Sequence, residues 1–433
     1  MKICVLGLWH LGSVTAACMA SVGHSVLGLD FDEPLVARLN TGASPLLEPH
    51  LEELLHQGLA SGRLRFTSSV RDASAGAQVL WVAYDTPIGE DGQPQPEHVM
   101  RQLERVLPHL EANTLVLVSS QLPVGSTRRL QQRAALARGS DSGYAYVPEN
   151  LRLGSGVRDF LSPDRIVVGV MHESDRHLLQ GLLGAISAPI EWMSLESAEM
   201  TKHALNAFLA VSVAFANELA LVCEAVGADA KQVERGLKSD RRIGNGAYLA
   251  PGTAFAGGTL ARDVSFLGEV AREHGLRTPL LSAVLPSNAA HRLWVQNSLH
   301  RLFADLPRTT IAVWGLTYKA GTDTLRGSAA VELCDWILRE GATLRVHDPA
   351  VGNLPPRWDS RVQRSDSPLA AVRGADALVI TVAWPMYREI GAGQLAEAAN
   401  GLVVLDPNRC RPDLAAANVP LRYVAVGLSG KRG

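Results

Sequence analysis

The first residues that could do chemistry lie in the turn Gly7-Leu8-Trp9-His10-Leu11-Gly12, which follows the apolar run Lys2–Leu6. Glycines so placed let backbone amides approach a pyrophosphate and let a following helix aim its N-terminus at it. Gly7 and Gly12 take the first and third glycine positions of that pattern. Trp9 takes the middle one, where a side chain is expected to crowd the phosphates. Asp30 closes the next apolar run, Ser25–Leu29. A carboxylate there accepts hydrogen bonds from a ribose diol and repels a 2′-phosphate, so NAD is expected rather than NADP. The second candidate chemistry is thiol chemistry. There are five cysteines, Cys4, Cys18, Cys223, Cys334 and Cys410, far apart and without a CxxC pair. That spacing argues against a disulfide framework or a zinc site and for a reducing, cytoplasmic compartment. Any cysteine-dependent reaction must draw on these five. The 13 histidines show no HExxH spacing, so no metal is expected.

The elements that must position these residues alternate. Strands are expected at Lys2–Leu6 and Ser25–Leu29, with a helix over 13–22 between them, which makes a βαβ unit. Further strands are expected at 78–83, 114–119, 144–148 and 165–170, with a helix at 97–109. Such alternation implies a parallel sheet covered on both faces. The middle of the chain differs. Residues 194–226 form one long helical run that continues past Glu234, and helix returns at 260–274 and 280–305. A second α/β block then opens with a strand at Thr310–Trp314, a turn at Gly315, a helix at Ala329–Arg339 and strands at 344–347, 377–381 and Leu402–Leu405. The fold class is α/β: an N-terminal Rossmann-like block over 1–193, an all-helical segment over 194–303, and a C-terminal Rossmann-like block over 304–433.

Composition sets the limits. At roughly 150 residues per domain, 433 residues make two or three domains. With 47% hydrophobic and 19% charged residues the chain is neither disordered nor fibrous. Lys and Arg total 41 against 43 Asp and Glu, so no basic face for nucleic acid is implied. The N-terminal apolar run is too short for a signal peptide. No uninterrupted run of about 18 apolar residues occurs, so no membrane span is expected.

Taken in order along the chain, the motifs resemble the UDP-glucose/GDP-mannose dehydrogenase family. They are Gly7 to Gly12 with Val14-Thr15-Ala16-Ala17; Leu39-Asn40 to Ser44-Pro45 with Glu48-Pro49; Thr86-Pro87 with Glu90-Asp91-Gly92; Pro123 to Thr127; Arg242-Ile243-Gly244; Gly257-Gly258 with Asp263; and Gly315 to Lys319 with Thr322-Asp323 and Arg326. The resemblance implies an NAD-dependent oxidoreductase acting on a nucleotide sugar, dimeric through its helical segment. It also implies cofactor contacts at Gly7, Trp9, His10, Leu11, Gly12, Asp30, Thr86 and Gln121. It implies substrate contacts at Leu151, Arg152, Arg242, Tyr248, Phe255, Gly257, Leu260, Lys319 and Arg326, and catalytic roles for Lys202, Asn206, Asp263 and Glu149. Lys202 and Asn206, four residues apart, share one helix face. An ammonium and an amide donor aimed at one oxygen stabilise developing alkoxide. Asp263 is available to position a water or take a proton. Read on their own, Glu149 is as well suited to capping local amides, Arg242 to the surface, and Lys319 and Arg326 to exposure. His10 and His203 are expected as structural or near-cofactor groups.

Family members oxidise the C6 alcohol of the sugar twice, with a cysteine holding a thiohemiacetal and then a thioester that water releases as a uronate. That cysteine lies two residues after the Gly-Gly pair. Here the position is Leu260, and the stretch onward to the aspartate is one residue shorter than the family's. Leu153, Gln121 and Arg262 replace further residues of the hydrolytic half-reaction. The expectation is a two-electron dehydrogenase working without a thioester. The alternatives are a four-electron UDP-glucose 6-dehydrogenase despite Leu260, a redox-neutral epimerase with bound NAD, and an inactive binding protein.

Overall fold

The computed structural model describes residues 1–87, 95–138, 143–256 and 258–429. The chain forms two compact units, Met1–Ala204 and Leu205–Gly433, whose division falls within the helix Leu195–Val226.

The first unit is an eight-stranded sheet: β1 (Lys2–Leu6), β2 (Ser25–Leu29), β3 (Leu64–Thr67), β4 (Val79–Val82), β5 (Leu115–Val118), β6 (Tyr144–Tyr146), β7 (Ile166–Val170) and β8 (Ile190–Ser194). Their spatial order is β3-β2-β1-β4-β5-β6-β7-β8. The chain runs outward from β1 through β2 and β3, then restarts at β4 on the other side. The crevice at that reversal is where open α/β sheets bind ligands. Central strands such as VLWV and LVLV are buried along their whole length because helices cover both faces.

One pair breaks the expected all-parallel pattern. β6 and β7 are antiparallel, with Ala145 opposite Val170 and Tyr146 opposite Gly169. The short helix between them, Gly156–Leu161, packs on the helix His10–Ser21 and the chain returns beside the strand it left. The strands β3 and β8 were not expected from sequence. They are edge elements, and β8 has no fully buried residue.

The second unit repeats the plan. β9 (Thr310–Trp314), β10 (Thr343–His347), β11 (Val362–Arg364), β12 (Ala377–Ile380), β13 (Leu402–Leu405) and β14 (Leu421–Val424) form a parallel sheet in the order β11-β10-β9-β12-β13-β14. Gly315 after β9 has φ +96°, matching Gly7 after β1 at +91°. Asp348 after β10 accepts from the amides of Leu316 (2.7 Å) and Thr317 (3.1 Å), much as Asp30 accepts from Leu8 in the first unit.

The helical segment has more breaks than its hydrophobic pattern suggests. The helix Leu195–Val226 stops at Gly227, which has φ +83°, and Asp229 caps a separate helix Ala230–Ser239 by accepting from the Lys231 amide. The expected single helix over 280–305 is two, Pro279–Arg292 and Trp294–Leu302, meeting at Leu293. The expectation of no membrane span rests on the absence of an uninterrupted apolar run. By length and composition Leu195–Val226 is long and apolar enough to cross a membrane, since a single charge in its apolar stretch does not lower the average far. Within the second unit one of its faces packs instead: Ala207, Ala210 and Ala214 lie against Val264 and Val284.

Candidate active site

The cofactor crevice is built on β1. Gly7 adopts φ +91°, and a Cβ there would stand 2.7 Å from the Tyr84 ring. A Cβ on Gly12 would stand 1.6 Å from the Gly7 carbonyl oxygen, so turn and helix approach each other only because both residues are glycine. The helix His10–Ser21 has no acidic side chain in its first turn, which keeps its N-terminus suited to an anion. Trp9 stands at the N-cap position of this helix, makes no side-chain capping hydrogen bond and is 49% exposed. Asp30 is buried. One carboxylate oxygen accepts from the Leu8 amide (2.7 Å) and the other from the Asp32 amide (3.1 Å), which aims it at the end of β2 with acceptor capacity left for a diol. These residues fit a dinucleotide. The Leu11 amide meets Asp85 at 3.5 Å. Thr86 donates to the Gln121 carbonyl (2.5 Å), bringing two expected cofactor residues together. Glu90-Asp91-Gly92 and Gly257 lie outside the described residues.

Downstream of Gln121 the chain turns at Pro123 to Thr127. Glu199, fully buried, accepts from the Thr127 amide (2.9 Å), the Thr127 hydroxyl (2.7 Å) and the Gly125 amide. Burial raises its pKa, and these bonds offset only part of the rise. The same helix carries Lys202 three residues on. The Lys202 ammonium is buried, lies 3.2 Å from Glu149 Oε1 and also donates to the Glu149 carbonyl. Glu149 accepts from the Leu151 amide as well (3.0 Å), so it both caps its loop and holds the lysine. Arg152 is spent on Asp159, with Nε and Nη2 at 2.9 and 2.8 Å from the two carboxylate oxygens. It braces the loop.

In the second unit, buried Asn206 donates to buried Asp263. Asn206 follows Lys202 by one helical turn. Asp263 sits one turn into the helix Thr259–Glu273. Leu260 packs against the apolar cluster of Ala207, Val264 and Val284, while Thr259 is exposed at the head of that helix. Counted forward from the glycine pair, the nucleophile position is Leu260. Counted back from Asp263 across the one-residue-shorter stretch, it is Thr259. Neither is a thiol.

The other expected substrate residues are scattered through this unit. Arg242 is exposed and paired with Asp240 at 2.7 Å, Tyr248 is exposed, and the Phe255 amide is held by Asn288 at 2.9 Å. Lys319 is half-buried and Arg326 exposed.

A cavity of about 410 Å³ opens at the carboxyl ends of β9, β12 and β13, lined by Thr317, Tyr318, Ser328, Thr381, Val382 and Pro407 among others. Sequence reasoning missed Thr381, Pro407 and the nearby Arg409. Arg409 is a buried guanidinium at φ +50°. Its Nη1 donates to Asp229 (2.5 Å), and its Nε and Nη2 find no partner among the described residues. The rule that ligands bind beyond the carboxyl ends of such strands would have pointed to all three, since each follows an apolar strand.

Four of the five cysteines are buried and Cys410 is half-buried. Burial pushes Cys4 and Cys18 up to about 12, and burial with Asp406 does the same to Cys410. Burial drives Cys334 higher still, and Cys223 is buried too. Thiolates are the reactive form, so Cys4, Cys18, Cys334 and Cys410 are not poised as nucleophiles near neutral pH. Iodoacetamide at neutral pH is therefore expected to leave the activity of native protein intact, read as NADH formation. Rapid inactivation with one labelled cysteine would contradict this. Among the described residues no group of three or more His, Cys, Asp or Glu could hold a metal ion.

A glycine turn at a parallel-sheet switch point, an aspartate closing the second strand and a buried lysine beside a carboxylate define an NAD-dependent oxidoreductase. The family is shown by comparison. The models for the NAD binding, central and UDP binding domains of the UDP-glucose/GDP-mannose dehydrogenase family match residues 1–186, 196–290 and 312–411. The chain belongs to that family. It is an oxidoreductase acting on CH–OH groups with a nucleotide-sugar substrate. A UDP-glucose 6-dehydrogenase of Pseudomonas aeruginosa is 36% identical over 99% of this chain and 97% of its own length. The UDP-glucose 6-dehydrogenase YwqF of Bacillus subtilis is 31% identical over 99% and 98%. The solved structure of a UDP-glucose dehydrogenase from Pyrobaculum islandicum superposes with a TM-score of 0.89 at 32% identity, covering 99% of this chain and 98% of that one.

Proposed function

We propose that the protein oxidises one carbinol of a nucleotide sugar by a single hydride transfer and releases the carbonyl sugar without a thioester stage. The observation that carries this is the absence of a thiol at both Thr259 and Leu260, with the hydrolytic positions Leu153, Gln121 and Arg262 altered as well. The alcohol-oxidising set is intact. NAD, when bound, accepts the hydride. Asp263, which accepts from Asn206, is the group available to take the alcohol proton, directly or through a water, and Lys202 is a cationic donor suited to an oxygen that develops alkoxide character. Glu149 keeps the ammonium aimed through the ion pair at 3.2 Å. The sugar nucleotide's base and diphosphate occupy the cavity at β9, β12 and β13, where Lys319, Arg326 and Arg409 supply cationic groups.

A second reading has one observation in its favour. Thr259 presents a hydroxyl at the head of a helix, and an oxygen ester there would restore a four-electron sequence like that of the UDP-glucose 6-dehydrogenases it resembles. Mass spectrometry of the product from UDP-glucose and NAD separates the two. The single-hydride reading predicts a sugar lighter by two hydrogens, and a uronate would sink it.

The reading includes a homodimer. Phe208, Phe215 and Val222, seven residues apart in turn on Leu195–Val226, are 68%, 51% and 56% exposed and form one apolar stripe. Phe215→Asp is expected to shift the protein from dimer to monomer by light scattering after size exclusion. A variant that stays dimeric would place the interface elsewhere.

A further inference from the structure

Glu48 lies between the two halves of the first unit's site, and neither half accounts for it. Its carboxylate is shut off from solvent and takes three donors, each at 2.8 Å: His10 Nε2 and the Gly154 amide on one oxygen, the Gly156 amide on the other. Burial alone would raise its pKa, but these three bonds outweigh it and hold the carboxyl below the ordinary glutamate value. His10 is the first residue of the helix whose N-terminus faces the cofactor turn. Gly154 and Gly156 close the loop that begins with Pro148 and Glu149. That loop has little freedom of its own, because Arg152, Ser155 and Asp159 form one hydrogen-bonded brace. The contact is also tight. A Cβ on Gly156 would lie 3.1 Å from His10 Nε2 and 3.4 Å from Glu48 Oε2, so a side chain there would push the loop off the carboxylate and imidazole by a few tenths of an ångström.

We infer that Glu48 is a positioning residue that couples the cofactor turn to the sugar-side loop, so that NAD and nucleotide sugar strengthen each other's binding. A buried carboxylate with every donor short leaves no compliant link in the path from His10 through Glu48 to Gly154 and Gly156. A change in the turn on cofactor binding is passed to the loop that carries Glu149, the partner of Lys202. Coupling of this kind is reciprocal by thermodynamic necessity. The inference rests on the cofactor turn being where NAD binds, but not on how many electrons the reaction moves.

The test uses the full-length protein and NADH, which does not turn over with UDP-glucose. NADH affinity is measured with and without saturating UDP-glucose. Wild type is expected to bind NADH roughly 5- to 150-fold more tightly when the sugar nucleotide is present. In Glu48→Gln the ratio is expected to fall to less than about twofold, with NADH still binding alone. If Glu48→Gln does not fold, Gly156→Ala presses a Cβ against His10 and Glu48, loosens the link from the loop side and carries the same expectation. A wild-type ratio near one, or folded variants of both kinds that keep the wild-type ratio, overturns the coupling. Failure of wild type to bind NADH at all would instead refute the placement of the cofactor turn. A merely structural Glu48 would lower melting temperature without moving the ratio.

Discussion

Lys202→Ala lowers kcat by about 10²–10³-fold with NAD binding nearly unchanged, the loss expected when one preorganised donor to a developing oxyanion is removed. The side chain is buried, its ammonium is fixed by the Glu149 carboxylate at 3.2 Å and by the Glu149 carbonyl, and its donors are therefore oriented before substrate arrives. Preorganisation of this kind is what makes a donor worth more in a protein than in water. The substitution also strands a partly buried carboxylate, so some loss of stability is expected. Lys202→Met, which refills the space, separates that loss from catalysis. Steady-state NADH formation reads the effect, and a variant with unimpaired kcat would remove Lys202 from the chemistry.

Asp30→Ala weakens NAD binding by about 10–100-fold, because hydrogen bonds to a charged acceptor contribute about 1.5–3 kcal/mol and each 1.4 kcal/mol is tenfold. Preference for NAD over NADP narrows at the same time, since the repulsion of a 2′-phosphate goes with the carboxylate. Part of the loss comes from the turn itself, because Asp30 also holds the Leu8 amide at 2.7 Å. Titration calorimetry with both cofactors checks this. Unchanged NAD affinity would mean that the ribose is held elsewhere.

Much of this could be read from the sequence because the central strands are buried on both faces. β1, β2 and β9 came out with the bounds of their apolar runs. Edge strands such as β8 are only half-buried and gave no such run. The antiparallel turn of β7 depends on how a short helix packs against another helix, and strand periodicity carries no information about that. The site shows the same division. Gly7, Gly12 and Asp30 are legible because backbone geometry demands those residue types. Glu48 was visible only as part of a motif, since its three donors come from residues 38, 106 and 108 positions away. Leu260 was read as the replaced nucleophile from a count of residues. Its packing among apolar neighbours and the exposure of Thr259 show why a count across a shortened stretch cannot say which side chain faces the substrate.

The proposed single hydride transfer rests on the absence of a thiol at Thr259 and Leu260. It is tested most directly by counting NADH per nucleotide sugar consumed, at completion, with NAD in excess. One NADH per sugar, with a carbonyl product, is the predicted result. Two NADH per sugar with a uronate product would contradict it.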